Sequence, residues 1–132
     1  MAEYRTAHDT MGEMQIPADA YYGIQTRRAM ENFHITGVPI SQYPELIQAL
    51  AMIKLAAARA NHDCGKLPAE VLEGIEGACR EIIDGELHDQ FPVDVIQGGA
   101  GTSTNMNANE VIANRALELM GFARGEYKHC DP

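Results

Sequence analysis

The sequence predicts a mainly α-helical domain with a short β-hairpin near its start. Two long stretches, residues 44–63 and 68–84, carry apolar side chains at helical spacing, each opened by a proline and followed by a glycine. A third stretch, residues 105–120, ends before Gly121, a suitable C-cap. At 132 residues the chain is long enough to bury one core, so residues 1–132 are expected to form a single domain.

The start of the chain predicts the hairpin and a short helix. Polar and apolar residues alternate weakly over residues 3–16, and the run His8-Asp9-Thr10 marks the turn. Residues 19–33 then have helical spacing, and Asp19 is a suitable N-cap because its carboxylate can accept hydrogen bonds from the first turn. A loop is expected over residues 34–43, which contain glycine and proline.

The two central helices differ in their patterns. Residues 44–63 are apolar on most sides, which predicts that this helix is buried or packs against partners. Residues 68–84 carry one apolar stripe, with glutamates on the other faces. Cys79 lies inside the stripe, so a buried and unreactive thiol is expected there.

A glycine-rich segment, residues 98–104, precedes the last helix. Glycine lets the backbone approach a ligand closely, and the expected loop-shaping positions are Gly98, Gly99, Ala100 and Gly101. Three hydroxyl residues follow directly: Thr102, Ser103 and Thr104. Free N–H groups and the positive end of a helix dipole at this place suit an anion such as a carboxylate. The alternative is that these residues only form a turn and an N-cap.

Asparagines are frequent in the last predicted helix, although their side chains compete for backbone hydrogen bonds. They are Asn105, Asn107, Asn109 and Asn114. Either the first turns are irregular, or these amides support the glycine-rich segment by hydrogen bonding. The segment matches neither G-x-x-x-x-G-K-[ST] nor G-x-G-x-x-G, which argues against a nucleotide site.

Composition excludes several classes of function. The formal net charge of −9 argues against a nucleic-acid partner. No apolar run is long enough to span a bilayer, and the first residues lack the pattern of a signal peptide. The three cysteines have no C-x-x-C spacing and the histidines are scattered, so reduced cytoplasmic thiols and no metal or cofactor site are expected.

Two groups of motifs resemble the aspartase family of the aspartase/fumarase superfamily. The first group is Phe91-Pro92-Val93-Asp94-Val95-Ile96-Gln97-Gly98-Gly99-Ala100-Gly101-Thr102-Ser103, Asn105-Met106-Asn107 and Asn109-Glu110-Val111. The second is Met11-Gly12-Glu13, Ile16-Pro17-Ala18-Asp19-Ala20-Tyr21-Tyr22-Gly23, Arg28-Ala29 and Glu31-Asn32-Phe33. Together they cover nearly the whole chain in the right order.

The resemblance implies the N-terminal helical domain of a lyase that reversibly eliminates ammonia from L-aspartate to give fumarate. It implies a homotetramer whose active sites draw loops from three subunits. Thr102 would contact the substrate carboxylate and amino group, with Ser103 and Thr104 as neighbours. Arg28 is a secondary candidate for the carboxylate, although a structural role, such as a surface pair with Glu31, is preferred.

The resemblance also implies what this chain lacks. The family's proton-abstracting serine lies in a signature of the type G-S-S-x-M-P-x-K-x-N-P, which does not occur here. No catalytic residue is therefore expected within residues 1–132, and the chain is expected to be an N-terminal portion that is inactive alone.

Two other functions stay open. A class II fumarase, which eliminates water from malate, has a loop resembling G-S-G-T-x-S-N-M-N, and Ala100 stands where its serine would be, which favours aspartase. Asp131-Pro132 also departs from the H-P-N segment of the fumarase pattern. A stand-alone helical interaction module is favoured only by the apolar helix predicted over residues 44–63.

Overall fold

The computed structural model describes residues 1–132, and its mainly helical class confirms the predicted one. A hairpin is followed by four α-helices and two short 3₁₀ turns. The strands are β1 (Tyr4–Asp9) and β2 (Gly12–Pro17); the helices are α1 (Ile24–Asn32), α2 (Pro44–Asp63), α3 (Ala69–Ile83) and α4 (Thr102–Leu119); the 3₁₀ turns are Ile40–Gln42 and His88–Gln90. None of the helices combines the length and hydropathy needed to cross a membrane.

The hairpin forms where the alternation predicts it. β1 and β2 pair antiparallel from Tyr4 opposite Pro17 to Asp9 opposite Gly12. Asp9 accepts the N–H of Met11 at 2.9 Å, which closes the turn one or two residues after the predicted place. Ile16 anchors β2, because its fully buried side chain belongs to a small apolar cluster with Ala20 and Ile24.

Helix α1 begins at Ile24, so the prediction that Asp19 caps it is wrong. The N-cap is Gly23, which has no side chain to accept a hydrogen bond. The carboxylate of Glu110, on α4, takes that role by accepting the N–H groups of Gly23 and Gln25 at 2.7 Å and of Thr26 at 3.0 Å. The helix start is therefore fixed by a residue of another helix.

The space around this contact explains the glycine. A Cβ at position 23 would lie 2.7 Å from the carboxyl carbon of Glu110 and 2.8 Å from the hydroxyl oxygen of Tyr127. Neither approach is compatible with an unshifted side chain. Gly23 and Glu110 therefore depend on each other, and together they dock α1 against α4.

The two central helices confirm their predicted bounds to within one residue. Ile47, Ile82 and Val111 join α2, α3 and α4 in the main core, with Phe91 from the connection. Cys79 is fully buried there, and burial raises the pKa of its thiol to about 12, as expected of an unreactive cysteine.

Only one face of α2 is buried within the chain. Ile47, Ala51 and Ala58 point into the core. Apolar side chains on the other sides stay exposed, among them Met52 at 53% and Ile53 at 62%. The apolar composition of α2 predicts contacts on several sides of the helix. Residues 1–132 provide such contacts on one side only.

Asp94 fixes the connection between α3 and α4. It is 5% exposed and accepts the N–H groups of Thr36, Gly37 and Ile96 at 2.8 to 2.9 Å, together with the Thr36 hydroxyl at 2.8 Å. Burial alone raises the pKa of this carboxyl, but the hydrogen bonds from Ile96, Thr36 and Gly37 outweigh it and hold the pKa well below its usual range.

Asp94 should make stability depend on pH. Because the pKa of its carboxyl is lower in the folded than in the unfolded state, its contribution is complete above the unfolded value and is lost as pH falls toward the folded value. We expect Asp94→Asn to destabilise the protein at about pH 6 and to matter progressively less below about pH 4, near the unfolded pKa of aspartate. Urea unfolding across this range measures the difference.

Asp19→Asn is the matched control, because Asp19 is exposed and makes no hydrogen bond or ion pair. Its effect on the free energy of unfolding should be small at every pH. A wild-type-minus-Asp94→Asn difference that stayed constant from about pH 6 to about pH 3 would contradict the assignment.

Candidate functional site

The glycine-rich segment forms an exposed loop, residues 98–101, that leads directly into α4. Gly99 and Gly101 have φ angles of 96° and 82°, and a Cβ at either place would meet no atom within 4 Å. Backbone conformation rather than crowding therefore requires glycine at both positions. Gly98 lies against the ring of Phe33. A Cβ at position 98 would be 3.4 Å from the nearest ring carbon of Phe33.

Helix α4 begins at Thr102, three residues earlier than predicted, so the three hydroxyl residues form its first turn. The N-cap is Gly101, and no side chain of the segment acts as the cap. The alternative in which one of these hydroxyls caps the helix is therefore wrong. Neither the hydroxyl nor the N–H of Thr102 and Ser103 makes a hydrogen bond in the structure.

These free groups give the segment its chemical character. Thr102 is exposed and Ser103 is half-buried. Their two N–H groups and two hydroxyls are four unpaired donors at the positive end of the α4 dipole. An anion with several oxygen atoms, such as a carboxylate, matches this arrangement.

Thr104 differs from its two neighbours because its polar groups are already paired. The carboxamide of Gln97 accepts the Thr104 N–H at 3.1 Å and its hydroxyl at 3.0 Å, and the Gln97 Nε2 lies 2.8 Å from the hydroxyl oxygen. The same Nε2 donates to the carbonyl of Asp94 at 2.7 Å. In this arrangement Thr104 connects α4 to the preceding chain.

None of the asparagines of α4 hydrogen-bonds the glycine-rich segment, and Asn105 and Asn107 bind neighbouring elements instead. The Lys54 ammonium donates to Asn105 at 2.5 Å, and Asn107 donates to the carbonyl of Gln90 at 2.9 Å. Asn109 makes only a long contact of 3.7 Å with the Met106 sulfur. The first turns of the helix are regular, so irregular turns do not explain these residues.

Asn114 has the same kind of role at the other end of α4. It is fully buried, donates to the carbonyl of Tyr21 at 2.7 Å and accepts the N–H of Gly125 at 2.8 Å. It thereby fixes the non-helical tail, residues 121–132, to α4.

Arg28 pairs with Asp9 rather than with Glu31, which binds Arg27 instead. The Arg28 Nε and one terminal nitrogen contact the two Asp9 oxygens at 2.8 and 2.7 Å, a bidentate geometry that raises the pKa of the guanidinium. No hydrogen bond or ion pair joins Arg28 to the glycine-rich segment. Its contacts here fix α1 to the hairpin.

Sequence reasoning missed the bridge formed by Gln97 and Asp94 beside the segment, and the role of Glu110 in joining α4 to α1. A signal existed for Glu110, since Asn107, Glu110 and Asn114 are polar residues at the core spacing of α4 and all are buried. Polar residues at core positions indicate a buried hydrogen-bond network. No comparable local signal marks Gln97, whose partner lies across the segment.

Comparisons with known proteins found similarity along nearly the whole chain. A family model described as a lyase matches residues 12–131. An aspartate ammonia-lyase of Pseudomonas aeruginosa is 58% identical over the whole chain. The solved structure of a fumarate lyase:delta crystallin from Brucella melitensis superposes with a TM-score of 0.97 at 55% identity over 98% of the chain. A class II fumarase from Schistosoma mansoni gives 0.86 at 36% identity over 92%.

The chain spans only part of each of these proteins. It corresponds to 28% of the Pseudomonas protein, 28% of the Brucella chain and 26% of the Schistosoma chain. The resemblance in the two groups of motifs is confirmed, since the similarity extends from the hairpin to the tail.

Proposed function

Because the chain belongs to the lyase family whose model matches residues 12–131, we propose that it is the N-terminal portion of an enzyme that reversibly eliminates ammonia from L-aspartate to give fumarate. The observation that carries the proposal is the set of four unpaired donors of Thr102 and Ser103 at the start of α4. Relatives named aspartate ammonia-lyase, at 58% identity, support the choice of substrate.

In this proposal the glycine-rich segment binds a carboxylate of the substrate. Removal of the Cβ proton places negative charge on the adjacent carboxylate, and donors already aimed at that place stabilise it without reorganising. Thr102 is the principal contact because it is exposed and unpaired, with Ser103 beside it. Thr104 and Arg28 have weaker support, because both already have partners in the structure.

The proton-abstracting group must come from outside residues 1–132, because none of the expected serine signature is present. We therefore propose that residues 1–132 alone are inactive and that the complete protein is a cytoplasmic homotetramer without a cofactor. The exposed apolar side chains of α2 are compatible with a larger assembly.

The second candidate is a class II fumarase acting on malate. Its support is the structural similarity to the Schistosoma fumarase at a TM-score of 0.86. The identity of 36% is lower than the 58% to the Pseudomonas aspartate ammonia-lyase, and Ala100 lacks the hydroxyl of the fumarase loop. A stand-alone interaction module has only the exposed face of α2 in its favour.

The test is a lyase assay on the protein made from the complete reading frame, with L-aspartate and L-malate in parallel and fumarate followed by ultraviolet absorbance. We expect fumarate from aspartate alone. Activity on malate instead would reassign the protein to the fumarases. Residues 1–132 expressed separately should form no fumarate from either substrate, and measurable activity would contradict the proposed division of the site.

A further inference from the structure

We propose that Gln97 is a positioning residue that holds the donors of Thr102 and Ser103 in place, an inference that rests on the proposed function. Gln97 precedes the loop, Thr104 follows it, and the Gln97 carboxamide bonds both the N–H and the hydroxyl of Thr104. The two ends of the segment are thus joined through one side chain.

The loop has no other hydrogen bond to hold it. The backbone groups of residues 98–100 are unpaired. The carbonyl of Gly101 accepts the N–H of Asn105, which is the first hydrogen bond of α4, and Gly101 makes no other backbone bond. Three glycines in four residues add conformational freedom that the bound state must lose. The bridge between Gln97 and Thr104 therefore limits the movement of the segment more than any contact within it.

Gln97 also supplies the cap that α4 lacks. Its N-cap, Gly101, has no side chain, and the Thr104 N–H is the third donor of the helix. By accepting this donor, the Gln97 Oε1 satisfies it in the way an N-cap side chain would. The first two donors, on Thr102 and Ser103, stay free for a ligand, so one side chain divides the helix start into a paired and an open part.

The bridge is in turn fixed to the rest of the fold. Gln97 Nε2 donates to the carbonyl of Asp94 at 2.7 Å, and the Asp94 side chain is held by Thr36, Gly37 and Ile96. A continuous set of hydrogen bonds therefore runs from the loop before α2 to the first turn of α4. The positions of the Thr102 and Ser103 donors, which would bind the substrate carboxylate, depend on this set of hydrogen bonds.

The experiment compares Gln97→Met with wild type in the complete protein. Methionine has a similar length but forms none of these hydrogen bonds. We expect faster hydrogen exchange of the Thr104 amide, which is the one hydrogen-bonded amide of the segment, a raised KM for L-aspartate, and kcat/KM lower by about 10- to 100-fold, because small displacements of binding groups cost this much. A change that only destabilised the fold would lower the active fraction and leave KM unchanged.

Gln48→Met is the matched control. Gln48 is half-buried like Gln97 and donates one hydrogen bond, to the carbonyl of Ile83 at 2.9 Å, far from the segment in sequence. It should leave KM and exchange of the Thr104 amide unchanged. An equal rise in KM in both variants would overturn the inference.

Thr104 provides a second route if Gln97→Met does not fold. Thr104→Val removes the hydroxyl but keeps the N–H, so it should have a smaller effect in the same direction, and Thr104→Ser should stay close to wild type. The double variant Gln97→Met/Thr104→Val should be no worse than Gln97→Met alone, because both changes break one bridge. Multiplied effects would overturn the inference.

Failure of the proposed function gives a different result. If wild type forms fumarate from neither aspartate nor malate, the lyase assignment fails and hydrogen exchange alone decides. Faster exchange of the Thr104 amide in Gln97→Met would still support the positioning role. Identical exchange in wild type and Gln97→Met would overturn it whatever the activity.

Discussion

Thr102→Ala in the complete protein is expected to lower kcat/KM for L-aspartate by about 30- to 900-fold, equivalent to about 2–4 kcal/mol of transition-state stabilisation. The Thr102 side chain is exposed, and its hydroxyl has no partner within the chain. A donor left free at the positive end of a helix is available to a developing carboxylate charge, and its loss cannot be compensated by an existing contact. Steady-state kinetics with L-aspartate measure the effect.

The same exposure makes the matched controls simple. Thr102→Ser keeps the hydroxyl and should retain most activity. The free energy of unfolding of Thr102→Ala should stay within about 0.5 kcal/mol of wild type, because no contact in the fold is lost. An unchanged kcat/KM in Thr102→Ala would remove this residue from the site, whereas a fall shared by Thr102→Ser would point to packing rather than to the hydroxyl.

Glu110→Ala is expected to lower the free energy of unfolding by about 3–5 kcal/mol, because it leaves several buried donors without a partner. Glu110 is 2% exposed and accepts four hydrogen bonds, from the N–H groups of Gly23, Gln25 and Thr26 and from the Thr26 hydroxyl. Removing the carboxylate therefore uncaps α1 and opens a cavity against α4. Urea unfolding followed by circular dichroism measures the change.

Two variants separate the carboxylate from its volume and charge. Glu110→Gln preserves the volume but turns an NH₂ group toward donors, so it should also be destabilising, though less than Glu110→Ala. Glu73→Gln, on the exposed face of α3, removes the same charge without a hydrogen bond and should change stability by less than about 0.5 kcal/mol. Equal stabilities for Glu110→Ala and Glu73→Gln would contradict the capping role.

The elements that sequence patterns predicted correctly are those whose signals are local. Pro44 and the glycine after α2 lie at the ends of the helix they bound, and the apolar stripe of α3 is contained within it. The hairpin is set by alternation and a polar turn. Each of these signals lies within a few residues of the structure that it specifies.

The predicted starts of α1 and α4 are wrong for a common physical reason. Both helices have glycine at the N-cap, so neither start carries the usual side-chain signal. Their first-turn N–H groups are accepted by residues from elsewhere, Glu110 for α1 and Gln97 for α4. A cap that is supplied from outside the helix cannot be read from the residues around its start.

The candidate site was predictable in its composition but not in its division of roles. The hydroxyl residues after the glycines indicated an anion site, and their order alone gave no reason to treat Thr104 differently from Thr102. The difference arises because the Gln97 side chain hydrogen-bonds Thr104 and not Thr102. In the same way, the spacing of Arg28 to Glu31 suggested a pair, whereas the fold places Asp9 closer.

The long sequence separation between α1 and its capping carboxylate has a consequence for biosynthesis. Gly23 leaves the ribosome 87 residues before Glu110. At about 5–20 residues per second, the intervening chain takes roughly 4 to 17 seconds to translate. During that interval the first-turn N–H groups of α1 have no capping carboxylate, although Ile24 can already pack against Ile16 and Ala20. The first helix to be synthesised is therefore held by its contacts with the hairpin until Glu110 has been translated, and its start is completed only then.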